Sequence, residues 1–137
     1  MGANKLLLTF AWFKIKMVAF TNPKVVELTD EKIVIRIRLN WRTKNHLNSM
    51  YLGVLAVGAD ISSGFLAFLK TEETGKKISL IFKDFHADFI KRPESDVFFE
   101  CENGKQLDQM IIKSSTTGDR VTENSIIKAY TDYYGPN

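Results

Sequence analysis

One carboxylate stands alone in the most apolar stretch of this 137-residue chain. Over 47–69 the sequence reads LNSMYLGVLAVGADISSGFLAFL, and Asp60 is its only charged residue. An isolated carboxylate among apolar side chains is costly unless it is paired, hydrogen-bonded or used. Burial also raises its pKa toward the range of a general acid or base. At about 100° per residue, Gly53, Val57, Asp60, Gly64 and Ala67 share one narrow helical face. Small residues beside the acid leave room for a ligand or for another backbone. Pairing with a buried cation, or capping of a neighbouring loop, is the structural alternative. Ser62 and Ser63 point to other faces, where their hydroxyls bond the preceding helical turn.

The start of the same helix offers a second kind of chemistry. Free N–H groups around Tyr51 to Gly53 can polarise a carbonyl or hold an oxyanion, and Gly53 permits close approach to the backbone. Asp60 lies about two turns further on, on the order of 10 Å away. One helix does not bring both to one atom. A two-fold dimer with antiparallel helices does, by joining the N-terminus of one to the acid of the other. Elsewhere, His46 sits in the loop before the helix, and His86 lies in a strand pattern. Cys101 alternates with Val97 and Phe99 toward the core and reads as an inert buried thiol.

These groups need elements to hold them. The helix over 47–70 is apolar on all sides and therefore a core element, with Asn48 or Ser49 as its N-cap. Upstream, Leu6, Phe10, Phe13, Met17 and Phe20 form the apolar stripe of an amphipathic helix over 5–20, stopped at Asn22-Pro23. That stripe packs on the domain's own sheet, or else docks on a membrane surface or a partner. Residues 24–28 form a short strand and 29–31 a turn. Ile33, Ile35, Ile37 and Leu39 alternate with Lys32, Val34, Arg36 and Arg38, the period of a strand with one face in water. After a turn at 71–75, residues 76–90 carry a dense strand pattern whose phase slips near Asp84. Residues 96–102 and 121–133 give two more strands, 107–113 is ambiguous between helix and strand, and Gly135-Pro136-Asn137 is a tail. The order implies one α+β domain over 1–137, its antiparallel sheet curved round the central helix.

Composition narrows the function classes. Hydrophobic residues make up 45% and charged residues 26% of the chain, with a net charge of +3, values of a globular protein. Arg36/Arg38 and Lys91/Arg92 are short clusters, so nucleic acid is not an expected partner. One cysteine and two histidines argue against a metal site and fit a reducing cytoplasm. Lys14 and Lys16 interrupt any signal-peptide reading of the first helix, and Leu6 stands where myristoylation after Gly2 needs Ser or Thr. Asp60 at the centre of the long helix argues against a membrane span.

The segment from Asn45 through Gly53 to Asp60, NHLNSMYLG followed by VLAVGAD, resembles the central-helix signature of hotdog-fold acyl-CoA thioesterases. The likeness is to the phenylacetyl-CoA thioesterase-like group and a related uncharacterised branch. Asn45 falls on that signature's Asn, Gly53 on its second Gly and Asp60 on its acid. Asn48 stands in place of a loop Gly, Tyr51 of a His and Leu52 of the first Gly. The segment from Phe85 to Pro93 resembles the strand and proline turn that follow. The resemblance implies a hotdog fold with an added N-terminal helix, assembled as a homodimer or a tetramer. It implies hydrolysis of an acyl-CoA-like thioester, coenzyme A entering only as part of the substrate and with no other cofactor. Asp60 would be nucleophile or general base and Asn45 a positioning group. Asn48, Tyr51, Leu52 and Gly53 would hold the carbonyl oxygen, and Lys91 and Arg92 would meet coenzyme A phosphates. A non-catalytic acyl-binding dimer is the main alternative. A hydratase or dehydratase on the same fold is a third, with His46 as its nearest histidine.

Overall fold

The computed structural model describes residues 2–135; Pro136 and Asn137 of the expected tail lie outside the described residues. Helix α1 spans Ala3–Lys14 and α2 Lys16–Thr21. Strands β1 (Lys24–Leu28) and β2 (Ile33–Ile37) precede the long helix α3, Leu52–Thr74. Strand β3 (Val97–Cys101), helix α4 (Gly104–Thr117) and strand β4 (Ile127–Tyr130) follow. The strands form one antiparallel sheet in the order β1-β2-β3-β4. α3 lies on one face of it, in the long connection between β2 and β3.

Period two builds the inner face. Ile33, Ile35 and Ile37 stand opposite Cys101, Phe99 and Val97, and all six are buried. Against them α3 presents Val54, Ile61, Phe65 and Leu66. Burying each of these aliphatic and aromatic side chains is worth roughly 1.5–3 kcal/mol. At Gly58 the helix packs so tightly on the sheet that a Cβ would run into the Phe99 ring. Gly58→Ala is therefore expected to destabilise the fold by about 1–3 kcal/mol, as overpacking does. Urea melts will show it, and Phe99→Leu in the same chain will recover part of the loss.

Left-handed residues stop three of the helices, the first two where the sequence predicts. Asn22 (φ 53°) ends α2 just before Pro23, Gly75 (φ 66°) ends α3 and Gly118 (φ 73°) ends α4. The central helix starts at Leu52 and continues to Thr74, four residues past the expected end. Tyr51 takes the N-cap position without a side-chain cap, so neither Asn48 nor Ser49 caps the helix. The ambiguous segment at 107–113 is the middle of α4, which buries Leu107 and Ile111 one turn apart.

Three expectations fail for tertiary reasons. The N-terminal helix breaks at Ile15, which is extended, and the expected stripe is not the face that packs. Leu7 and Ala11 face the core, with Leu6 and Phe10 packed beside them, whereas Phe13, Met17 and Phe20 are exposed. Asn4 ties α1 to the sheet edge by accepting from Val25 N at 2.6 Å and donating to its carbonyl at 3.1 Å. Second, the outer face of β2 is not left in water. Tyr133 stacks on Phe98 at 4.8 Å and donates to Glu27 at 3.0 Å, while Lys32 bridges Glu27 and Glu100 at 2.8 and 3.5 Å. Val34 is fully buried beneath this layer. Third, 76–90 forms no strand within the chain.

Burial and the adjacent Glu27 carboxylate push the Tyr133 phenol from 10.0 up to about 12. A phenol with a raised folded-state pKa stabilises the fold below its unfolded value, and that contribution is lost as pH climbs through the folded one. The melting temperature of the native protein should fall more steeply between pH 10 and 12 than that of Tyr133→Phe.

Candidate functional site

Asp60 lies in the eighth position after the start of α3 and is half-buried. Desolvation alone holds its carboxyl above the usual range; no hydrogen bond and no ion pair offsets it among the described residues. The one buried lysine, Lys70, pairs instead with Asp108 of α4 at 3.0 Å. One turn on from Asp60, Gly64 leaves a notch. A Cβ placed there would stand 3.8 Å from Asp60 Oδ1, 3.9 Å from Leu80 Cδ2 and 4.0 Å from Phe82 Cε2. The acid thus opens into a small space floored by glycine and walled by Leu80 and Phe82. Sequence reading placed those two in a strand but not at the site; their signal was the even-numbered apolar alternation Ile78, Leu80, Phe82. The rest of the small-residue face divides, since Val57 and Ala67 pack into the core.

The loop ahead of α3 is built round Asn45. Its Oδ1 accepts from Leu47 N at 2.8 Å and from Ser49 N and Oγ, both at 3.1 Å. These bonds fix the turn and leave only the amide NH₂ of Asn45 for a ligand. Asn48 adopts φ 59°, a conformation that Asn tolerates nearly as Gly does. Thr43, unremarked in the sequence, is fully buried and donates to the Arg38 carbonyl at 2.7 Å, while its own carbonyl receives Tyr51 N at 2.8 Å. An Asn-x-x-Thr spacing from Asn40 was its signal, because Asn40 N donates to Thr43 Oγ at 3.0 Å.

At the mouth of the helix, Val54 N and Leu55 N both bond the Tyr51 carbonyl. The preceding Leu52 and Gly53 N–H groups have no acceptor among the described residues, as the first turn of an uncapped helix dictates. The exposed Tyr51 ring folds over this end; a Cβ on Gly53 would lie 2.5 Å from Tyr51 Cε2. Pro93 O accepts from Met50 N at 2.9 Å, which brings the turn carrying Lys91 and Arg92 to the same end of the helix. Both cations are exposed, and Arg92 is paired with Glu94 at 2.9 Å. His46 is exposed in the loop, and His86 pairs with Asp88 at the surface. Burial pushes the Cys101 thiol up, consistent with an inert residue.

One helix therefore carries two separated features: an N-terminal end with free N–H groups and cations near it, and an unpartnered acid about two turns away. Between α3 and β3, the segment 77–92 has no backbone hydrogen bond among the described residues. Leu80 and Phe82, two apart, both reach Gly64, the spacing of extended chain. Leu80 and Phe82 are nonetheless largely exposed, as are Ile81, Phe85, Phe89 and Ile90.

No protein-family model matches the chain, and no curated protein does either. Solved structures do. A proposed thioesterase from Shewanella oneidensis superposes with a TM-score of 0.75 at 12% identity, covering 95% of this chain and 87% of its own. A protein of unknown function from Chlorobaculum tepidum gives 0.73 at 14% identity, over 84% of this chain and 71% of that one. A Pseudomonas aeruginosa protein of unknown function, suggested to be a thioesterase, gives 0.63 at 21% identity, over 83% and 75%. The helix α3 is the one described helix long and apolar enough to cross a membrane, and here it is the core helix of the sheet. The chain has the fold of these proteins, the α+β hotdog architecture of a curved antiparallel sheet round one long helix, with an added N-terminal helix.

Proposed function

We propose that the protein is a thioesterase that hydrolyses an acyl-CoA-like thioester in a site shared between two copies. The observation that carries this reading is Asp60: a half-buried carboxylate with no partner, its proton affinity raised by desolvation, opening into the notch at Gly64. A structural carboxylate would have a cation or a donor beside it. Thioesterase is also the activity suggested for two of the proteins that share the fold.

In the reaction, the thioester carbonyl lies at the N-terminus of α3 in one copy. The Leu52 and Gly53 N–H groups and the Asn45 amide receive its oxygen, and preorganised donors of this kind stabilise the negative charge that develops there. Asp60 of the other copy takes a proton from water as the water attacks the carbonyl carbon. The C–S bond then breaks, the thiolate leaves and is protonated, and the acid product is released. Lys91, and Arg92 on release from Glu94, would meet the phosphates of coenzyme A at the rim of the same helix end. Hydrolysis of acyl-CoAs of graded chain length by native protein and Asp60→Asn tests the reading.

One observation favours a second reading, acyl-CoA binding without turnover. The Tyr51 ring covers Gly53, where the carbonyl must approach. Chains bound by the native protein but cleaved at no length would select it.

A further inference from the structure

We propose that α1, α2 and the tip at Trp41 form a docking surface for an anionic lipid bilayer, independent of the thioesterase reading. With Leu7, Ala11 and Val18 as the face turned to the core, both helices hold large side chains outward. Phe13 is 81% exposed, Met17 75%, Trp41 73% and Trp12 59%. They are one patch. Leu8, Thr9, Trp12, Phe13 and Lys16 line a single shallow cleft. Met17 and Phe20 are one turn apart on α2, and Phe20 meets Trp41 edge-on at 6.2 Å.

Charge identifies the occupant. From residue 1 to residue 26 the chain holds Lys5, Lys14, Lys16 and Lys24 and no acidic residue. Arg42 sits over both Phe20 and Trp41, at 5.4 and 5.3 Å from their ring centroids, and Lys44 follows. A second copy of so basic a patch would be repelled. Aromatic rings that insert at the headgroup level, ringed by cations, match a negatively charged lipid surface.

The chain has two tryptophans, and both belong to this patch, so intrinsic fluorescence reads the surface directly. Vesicles of phosphatidylcholine with about one-third phosphatidylglycerol should shift the emission to the blue and pellet the protein. Vesicles of phosphatidylcholine alone should bind it far less, and high salt should weaken binding by screening. Removing cations by Lys14→Gln, Lys16→Gln and Arg42→Gln should lower the affinity about fivefold each. Phe13→Ser with Met17→Ser, at positions with no role in the core, should abolish the blue shift while leaving the melting temperature in place. Equal binding to neutral and anionic vesicles, no shift with either, or a blue shift that follows protein concentration without lipid would each overturn the proposal; the last would mark the patch as a contact between copies.

Discussion

Asp60→Asn should lower thioester hydrolysis by about 10²- to 10⁴-fold, the usual contribution of a positioned general base, with the fold and acyl-CoA binding retained. The amide keeps the volume of the carboxylate and fits the same notch by Gly64, but it does not accept a proton from water. The pH profile adds a second readout. Only ionised Asp60 acts as the base, and burial holds its pKa above the ordinary 3.8. Native kcat/KM should therefore fall on the acid side through an apparent pKa above that value, and the variant's residual rate should lack that limb. Stability supplies a third, of opposite sign. The folded chain holds the Asp60 proton more tightly than the unfolded chain does, so this group's contribution is lost as pH rises through its folded pKa. Asp60→Asn should melt higher than native protein at neutral pH, with the difference closing below about pH 3.8. Undiminished hydrolysis in the variant would remove Asp60 from the chemistry. A lower melting point at neutral pH would show the carboxylate to be a structural partner instead.

The parts of this molecule that local pattern controls were legible in the sequence. Alternation at Ile33, Ile35 and Ile37 and at Val97, Phe99 and Cys101 identified the inner face of the sheet, and Asn22-Pro23 and Gly75 are stops that chemistry alone dictates. Asp60 stood out because a charge in an apolar helix has few innocent explanations. What failed depended on surroundings. Val34 and Arg36 read as a solvated face because nothing local announces that Tyr133, about a hundred residues later, will pack on Phe98 and bond Glu27 on the strands to either side. The stripe from Leu6 to Phe20 has good helical period, yet the core takes the neighbouring face of Leu7, Ala11 and Val18 and leaves Phe13, Met17 and Phe20 outside. Asn45 was placed at the site by resemblance, but its carbonyl oxygen is occupied in holding the loop. Its contribution to chemistry is narrower than its position suggests.

The largest disagreement, the missing strand at 76–90, leads to the second prediction: Leu80→Asp should convert a dimer into monomers and abolish hydrolysis with it. A strand pattern this dense without a partner in its own chain exposes both backbone groups and apolar side chains, the two things a β edge uses to recruit another chain. Two copies related by a two-fold axis pair antiparallel with one residue opposite its own mate. With Leu80 on the axis, Ile78 faces Phe82 of the other copy, and Lys76 faces Asp84 at both ends. Moving the axis to Phe82 would instead set Asp84 against Leu80, and moving it to Ile78 would set Lys76 against Leu80. Only the Leu80 register matches apolar with apolar and cation with anion. It also keeps Leu80 and Phe82 on the face that touches Gly64, which in such a dimer would set each acid beside the seam. Cross-strand ion pairs are worth roughly 0.2–1 kcal/mol each, and symmetry supplies two. Asp84→Lys should weaken the dimer by setting cation against cation, and adding Lys76→Asp to that variant should restore it, as sedimentation at graded concentration will read. Restoration is the decisive outcome, because a merely destabilised chain would not regain its dimer from a second charge reversal. Native protein that sediments as a monomer throughout would end the shared-site mechanism, since no single copy brings Asp60 within reach of a carbonyl held at Leu52 and Gly53.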